Sequence, residues 1–245
     1  MFDYFDFSLP RAVTEQLIER LDHLKFSPLS DVSLKKLSVF QKRRKITQGV
    51  YVIYLADKAV YAGKAEDLAE RLAEHLWKLR GRNGIQINCV GYKALLLDDN
   101  WSTSANEGLL IEHYKAQHQC QWNGGGFGPK DPGKNRDGSE PSRFDDQFPV
   151  KENYPITDLQ DVSTLGEVLS KIKDQVPYLF RYDIPPSAEV LPINLSGVPR
   201  EVKALALQIA QSLGNGWQLM LFKNGVTLYH ASRPYSHGTQ LFPPQ

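Results

Sequence analysis

Two short runs of β-forming residues, Gly49–Leu55 (GVYVIYL) and Ala59–Ala62 (AVYA), stand only three residues apart in this chain. Both are rich in β-branched and aromatic side chains, and Ala56, Asp57 and Lys58 between them can do no more than turn the chain, so the pair predicts a β-hairpin. Gly63 is expected to end its second strand. A helix is predicted from about Glu66 to Arg80, because Leu68, Leu72, Leu76 and Leu79 recur on one helical face. Gln86–Leu97 reads as a third strand with Val90, Tyr92, Ala94 and Leu96 alternating. Ser102–Gln117 reads as a helix with Leu109, Leu110 and Tyr114 apolar.

The flanks are of a different kind. Ser8 is a plausible N-cap, Pro10 suits a first turn, and Val13, Leu17, Leu21 and Leu24 continue at helical spacing to about Lys25. Pro28 breaks that helix, and Val32–Lys45 predicts a short second one with a basic tail. Gly124–Ser142 is crowded with Gly, Pro, Asn and Asp, a long loop of the sort that is functional or unstructured. Beyond it, Leu165, Val168, Leu169, Ile172 and Val176 mark a helix, and Tyr178–Tyr182 a strand. Pro199 opens another helix, which carries Val202, Leu205, Ile209 and Leu213 and closes at Gly214. GWQLMLFKNGVTLYH predicts a hairpin with Asn224-Gly225 at its turn. The expected class is α+β: an N-terminal helical arm (1–45), a core with a small antiparallel sheet flanked by helices and a Gly-rich loop (46–145), and a C-terminal α+β domain (150–245) with no role assigned to it.

Composition excludes little but locates charge. The 245 residues carry a net charge of +1, yet Lys35–Arg82 holds twelve Lys/Arg against five Asp/Glu, and Ser139 to the end holds nine against eleven. A local basic surplus on a near-neutral chain suits a polyanion bound at one place, although a solvated surface gives the same count. Cys89 and Cys120 make no disulfide framework, and no Cys/His cluster has zinc spacing. With no membrane-length apolar run and no signal-like start, a cytoplasmic protein is expected.

The hairpin and the helix after it would bring reactive groups together. Tyr51 and Tyr61, ten residues apart on adjacent strands, can share a face. Gly63 allows close backbone approach, and Lys64 follows at once. Arg71 and His75 are four residues apart on the helix, bordering its apolar stripe. Two phenols, an ammonium, a guanidinium and an imidazole would suit a phosphodiester, lacking only a metal ligand.

Gly49-Val50-Tyr51, Tyr61-Ala62-Gly63 and the run K-A-E-D-L-A-E-R-L-A-E-H from Lys64 to His75 resemble the signature of the GIY-YIG nucleases. Downstream, Glu107 in N-E-G-L-L-I-E-H-Y and Asn123 in Q-W-N match that family's metal-binding Glu and its later Asn by their surroundings. The middle residues Val50 and Ala62 depart from the family's name, at positions without a functional side chain. The resemblance covers roughly 45–125. The N-terminal arm, the K-L-R-G-R-N-G segment at 78–84 and the loop G-F-G-P-K-D-P-G-K-N-R-D-G at 126–138 further resemble the family's type II restriction branch, which includes cutters of CCGCGG.

That resemblance implies Mg2+- (or Mn2+-) dependent hydrolysis of double-stranded DNA. Glu107 would hold the one metal ion, since Mg2+ keeps waters and needs few protein carboxylates; Glu112 is its nearest competitor. Tyr51 is the candidate general base, assisted by His75, and Tyr61 positions a phosphate or a water or takes the base's place. A free phenol has a pKa of about 10, so the base must be activated by neighbouring cations. Arg71 would grip the scissile phosphate through its planar fork, where the ordinary alternative is an ion pair with Asp67. Lys64 would add charge, and Asn123 would tether the loop by hydrogen bonds. Lys42, Arg43, Arg44, Lys78, Arg80 and Arg82 are candidates for phosphate contacts, and Lys130, Lys134, Asn135 and Arg136 for reading bases. Cutting both strands of a palindrome with one site per chain implies a two-fold homodimer, and restriction implies a cognate DNA methyltransferase acting on the same site. The rival readings are a structure-specific or repair nuclease that nicks one strand, a non-catalytic DNA-binding module on a decayed nuclease fold, and a C-terminal protein-interaction module.

Overall fold

The structure is a computed structural model, and it describes residues 8–98, 103–117, 119–128, 133–134, 137–231 and 233–243, with the backbone alone for Leu9 and residues 103–107. It is α+β. Among the described residues there are eight α-helices and three sheets. The chain divides by its own contacts into two compact units, residues 1–77 with 85–128 and residues 78–84 with 129–245. No described helix is long and apolar enough to cross a membrane.

In the first unit, α1 (Leu9–His23) starts after Ser8 with Pro10 in its first turn, and α2 (Asp31–Arg44) starts at a capping box formed by Ser30 and Ser33. The four-stranded antiparallel sheet has the order β1 (Ser27–Pro28), β4 (Val90–Leu96), β2 (Gly49–Leu55), β3 (Lys58–Ala65). Strand β2 is buried along nearly its whole length, because both its faces are covered. Val50, Val52 and Tyr54 cluster with Leu17, Ile18 and Leu21 of α1 and with Leu110 and Tyr114 of α4 (Thr103–Ala116). Alternation turns Tyr51 and Ile53 to the other face, the face that His75 of α3 (Leu68–Arg80) meets; Leu68, Leu72 and Leu76 of that helix are buried. The side chain of Asp67 caps α3 by accepting from the Glu70 amide at 3.0 Å.

Three local expectations are corrected. The β2–β3 loop has two residues, not three, because Leu55 pairs with Lys58. Ala56 and Asp57 both take positive φ, 47° and 65°, the mirror-image turn whose twist matches a hairpin. Gly63 does not end β3; it lies within the strand, opposite Tyr51. The third strand is shorter than expected, since Ile87–Cys89 forms a 3-10 turn before β4 begins.

The second unit holds α5 (Arg143–Gln147), a two-stranded sheet of β5 (Val162–Thr164) and β7 (Pro192–Asn194), and α7 (Pro186–Glu189). Its mixed sheet has the order β10 (Thr239–Phe242), β8 (Trp217–Phe222), β9 (Gly225–His230), β6 (Leu179–Asp183), with β6 and β9 parallel. Val168, Leu169 and Ile172 of α6 (Leu165–Gln175) and Leu205 and Ile209 of α8 (Val202–Leu213) join Leu219, Val226 and Leu228 in one core. Helix α8 begins three residues after Pro199. The predicted hairpin forms, but its turn is Lys223-Asn224, and Gly225 already pairs with Phe222. Gly225 is required by space: a Cβ there would lie 2.2 Å from the Leu179 carbonyl oxygen of the parallel neighbour.

Candidate active site

The hairpin register sets Tyr51 opposite Gly63 and Ile53 opposite Tyr61, so the two tyrosines are diagonal neighbours on one face. Their ring centroids are 6.1 Å apart. The bare strand position at Gly63 makes this possible, since a Cβ there would lie 2.8 Å from Tyr51 Oη and 3.0 Å from Tyr61 Cε1. From α3, His75 Nε2 hydrogen-bonds Tyr51 Oη at 2.7 Å, and the imidazole lies edge-on to Tyr61 at 5.3 Å. All three are buried, Tyr51 at 1 %, His75 at 3 % and Tyr61 at 9 % exposure.

Arg71 borders this cluster one turn earlier on α3. Its Nη1 donates to Glu74 Oε2 at 2.5 Å and its Nη2 to the Gly128 carbonyl at 3.2 Å. Asp67, the expected partner, is occupied instead as the cap of α3 and by Gln41 Nε2 at 3.2 Å. Burial raises the Tyr51 pKa above the usual phenol value, and Tyr61 adds to the rise, while the charge and hydrogen bonding of Arg71 oppose it. For Arg71 burial disfavours the charge, but the bond to Glu74 and the proximity of Tyr51 outweigh it and hold the guanidinium firmly charged.

The start of the Gly-rich segment forms the lid of the aromatic cluster. Phe127, 1 % exposed, stacks on His75 with centroids 4.8 Å apart and meets Tyr61 edge-on at 5.1 Å, while Trp122 lies 4.8 Å away. The segment is tied along the outer edge of β3, where Cys120 N donates to Ala59 O and Trp122 N to Val60 O. Asn123 completes the seam: its Oδ1 accepts from Ala62 N at 2.9 Å and its Nδ2 donates to Ala62 O at 2.8 Å. A side-chain amide here mimics the backbone of one more strand residue. Phe127, Glu74 and Gly128 escaped the sequence reading. The lone aromatic in G-G-G-F-G was the available signal for an anchor.

The remaining candidates fall elsewhere. Half-buried Lys64 pairs with Val50, so alternation sends it to the opposite face of the sheet from Tyr51 and Tyr61, the face on which α4 packs. Glu107 lies in α4, and its side chain is outside the described set; Glu112 is exposed. Lys42, Arg43 and Arg44 are exposed in the last turn of α2, where cations also complement the helix dipole. Lys78 is half-buried with Nζ 5.5 Å from the Phe144 ring centroid, and Arg80 is half-buried with its carbonyl bound by Lys151. Arg82 cannot present itself to a phosphate. It is 3 % exposed, bonded to Asp145 at 2.7 Å and to the Phe148 carbonyl at 3.1 Å. Lys134 pairs with Asp183 at 2.8 Å, and Lys130, Asn135 and Arg136 lie outside the described residues. Among the described residues no three His, Cys, Asp or Glu side chains converge as a metal cage.

Taken as chemistry, a phenol is hydrogen-bonded to an imidazole, with a charged guanidinium beside it at the edge of the burial. Such a set can hold an anion and shift a proton next to it. Comparison of the sequence with protein-family models and with curated proteins finds no match.

Proposed function

We propose that this chain is a GIY-YIG-type DNA endonuclease of the restriction branch, with β2, β3, α3, β4 and α4 as its nuclease fold. The observation that carries the reading is the 2.7 Å hydrogen bond between Tyr51 and His75, with Tyr61 and Arg71 around it. The substrate would be double-stranded DNA, recognised by a homodimer at a palindrome, with a cognate methyltransferase protecting the same site.

In this reading Arg71 holds the scissile phosphate. An exposed ion pair such as Arg71–Glu74 contributes about 1 kcal/mol or less, so a phosphate oxygen can displace the Glu74 carboxylate. Tyr51 accepts the proton of the attacking water and His75 takes up the phenol's own proton, so no phenolate need persist in a buried site. Tyr61, 6.1 Å from Tyr51 ring to ring, orients the phosphate or the water. Lys64 adds positive charge from the other face, reaching a phosphate around the Gly63–Ala65 end of β3. A Mg2+ ion held by Glu107 would supply further charge stabilisation at the phosphate, and a single carboxylate suits an ion that keeps most of its waters. Lys42, Arg43 and Arg44 are the exposed cations offered to the flanking backbone.

Digestion of unmethylated plasmid DNA with Mg2+ tests the proposal. The wild type is expected to give discrete fragments and Glu107→Ala none, with DNA binding retained. Nicks without fragments would favour the repair-type nuclease, and intact plasmid under several metals and sequences would contradict the enzyme reading.

A further inference from the structure

The second unit carries a cleft of about 630 Å³, within the range that takes a small-molecule ligand. Its lining combines the buried Trp217 and Tyr229 and the apolar Pro185, which serve as its floor, with the exposed Lys134, Asp183 and Arg233, which serve as its rim, and is completed by His230 and Ala231. The floor is fixed from behind, because Tyr229 Oη donates to Asp137 Oδ2 at 2.8 Å and that carboxylate also accepts from Arg181. At the rim, Lys134 Nζ lies 4.5 Å from the Tyr229 ring centroid. Its pair with Asp183 is exposed, at 53 % and 70 % for the two side chains, and so is readily exchanged. The Arg233 Nε donates to Tyr235 Oη at 2.8 Å, with the guanidinium 4.9 Å from that ring, which orients its fork.

Two cations above an apolar floor are suited to neither a bare anion nor a plain hydrocarbon. An inorganic anion has no use for the floor, and a hydrocarbon would desolvate the ammonium and guanidinium without pairing them. A ligand that meets both carries an anionic group on a planar, largely apolar body. Asp183 adds an acceptor at the same mouth, which calls for an N–H donor on that body. We propose that this cleft binds a nucleoside monophosphate unit, its phosphate on Arg233 and Lys134, its base against Trp217 and Pro185, and an exocyclic amino group donating to Asp183. Guanine, adenine and cytosine carry that exocyclic amino group, whereas thymine offers only its ring N3–H. The unit is a free nucleotide or a nucleotide extruded from DNA, and the inference does not rest on the nuclease reading.

Calorimetric titration of the full chain in EDTA, where no Mg2+-dependent cleavage intervenes, tests it with dGMP, dTMP and inorganic phosphate. Two duplexes complete the set, one fully paired and one with a guanosine opposite an abasic site. Saturable binding at one site per chain is expected for dGMP, or for the abasic duplex in excess of the paired one; the first identifies a free nucleotide and the second an extruded one. Arg233→Gln should weaken it by at least about tenfold, and Asp183→Asn should abolish the preference over dTMP. Both side chains are exposed, and circular dichroism checks that the variants fold. The proposal is overturned if no mononucleotide binds and the two duplexes bind alike. Phosphate binding as tightly as dGMP, or indifference to either substitution, overturns it as well.

Discussion

Asn123 shows how one side chain can be structural inside a site chosen for its chemistry. Its amide satisfies both backbone groups of Ala62, which is fully buried. Leaving a buried donor and a buried acceptor unpaired costs about 1–3 kcal/mol each. Asn123→Ala is therefore expected to lower the unfolding free energy by several kcal/mol in a denaturant titration; a loss below about 1 kcal/mol would contradict the assignment. The tether was legible in the sequence as a motif position, whereas its partner was not, because Ala62 is 61 residues away. The place of Arg71 beside the aromatic cluster was legible from its spacing to His75, but its pairing with Glu74 rather than Asp67 depended on Asp67 being taken by the cap of α3.

At the scale of elements, α3 was readable from its 3.6-residue periodicity and the hairpin from two runs rich in β-branched and aromatic residues, signals that act over many residues at once. What went unread was local. The two-residue turn puts Ala56 and Asp57 at positive φ, a conformation that Asp tolerates and Ala disfavours, so propensity did not locate it. Ala56 is exposed, and removing its Cβ relieves a clash worth about 1–2 kcal/mol, partly offset by the extra freedom of glycine in the unfolded chain. Ala56→Gly is expected to raise stability by about 0.5–1 kcal/mol, seen as a shifted denaturation midpoint at unchanged slope. A destabilised variant would contradict the turn. The Gly-rich segment taught the converse lesson: its composition marked a loop, yet Phe127 and the bonds of residues 120–123 to β3 make its beginning part of the core.

Across the whole molecule, among the described residues, burial holds seven tyrosines, Tyr51, Tyr54, Tyr92, Tyr114, Tyr178, Tyr182 and Tyr229, above the ordinary phenol pKa. In the unfolded chain each would titrate at about 10. The native state thus keeps protons that the unfolded state loses, so the contribution of these tyrosines to stability is constant below about pH 10 and falls as pH rises beyond it. Phenolate absorbance should rise in two stages, the exposed tyrosines first and the buried ones only with a cooperative loss of circular dichroism. A single transition of all eleven tyrosines in a still-folded protein would contradict the burial. The division into two units lay beyond sequence reading in one respect: residues 78–84 join the C-terminal unit through contacts such as Arg82 with Asp145, across a separation that periodicity does not span. The central claim concerns one phenol, and Tyr51→Phe removes its oxygen and nothing else. Single-turnover cleavage of plasmid DNA by that variant, with DNA affinity measured alongside, is predicted to fall by about 10²–10⁴-fold at unchanged affinity. Cleavage at the wild-type rate would contradict the account.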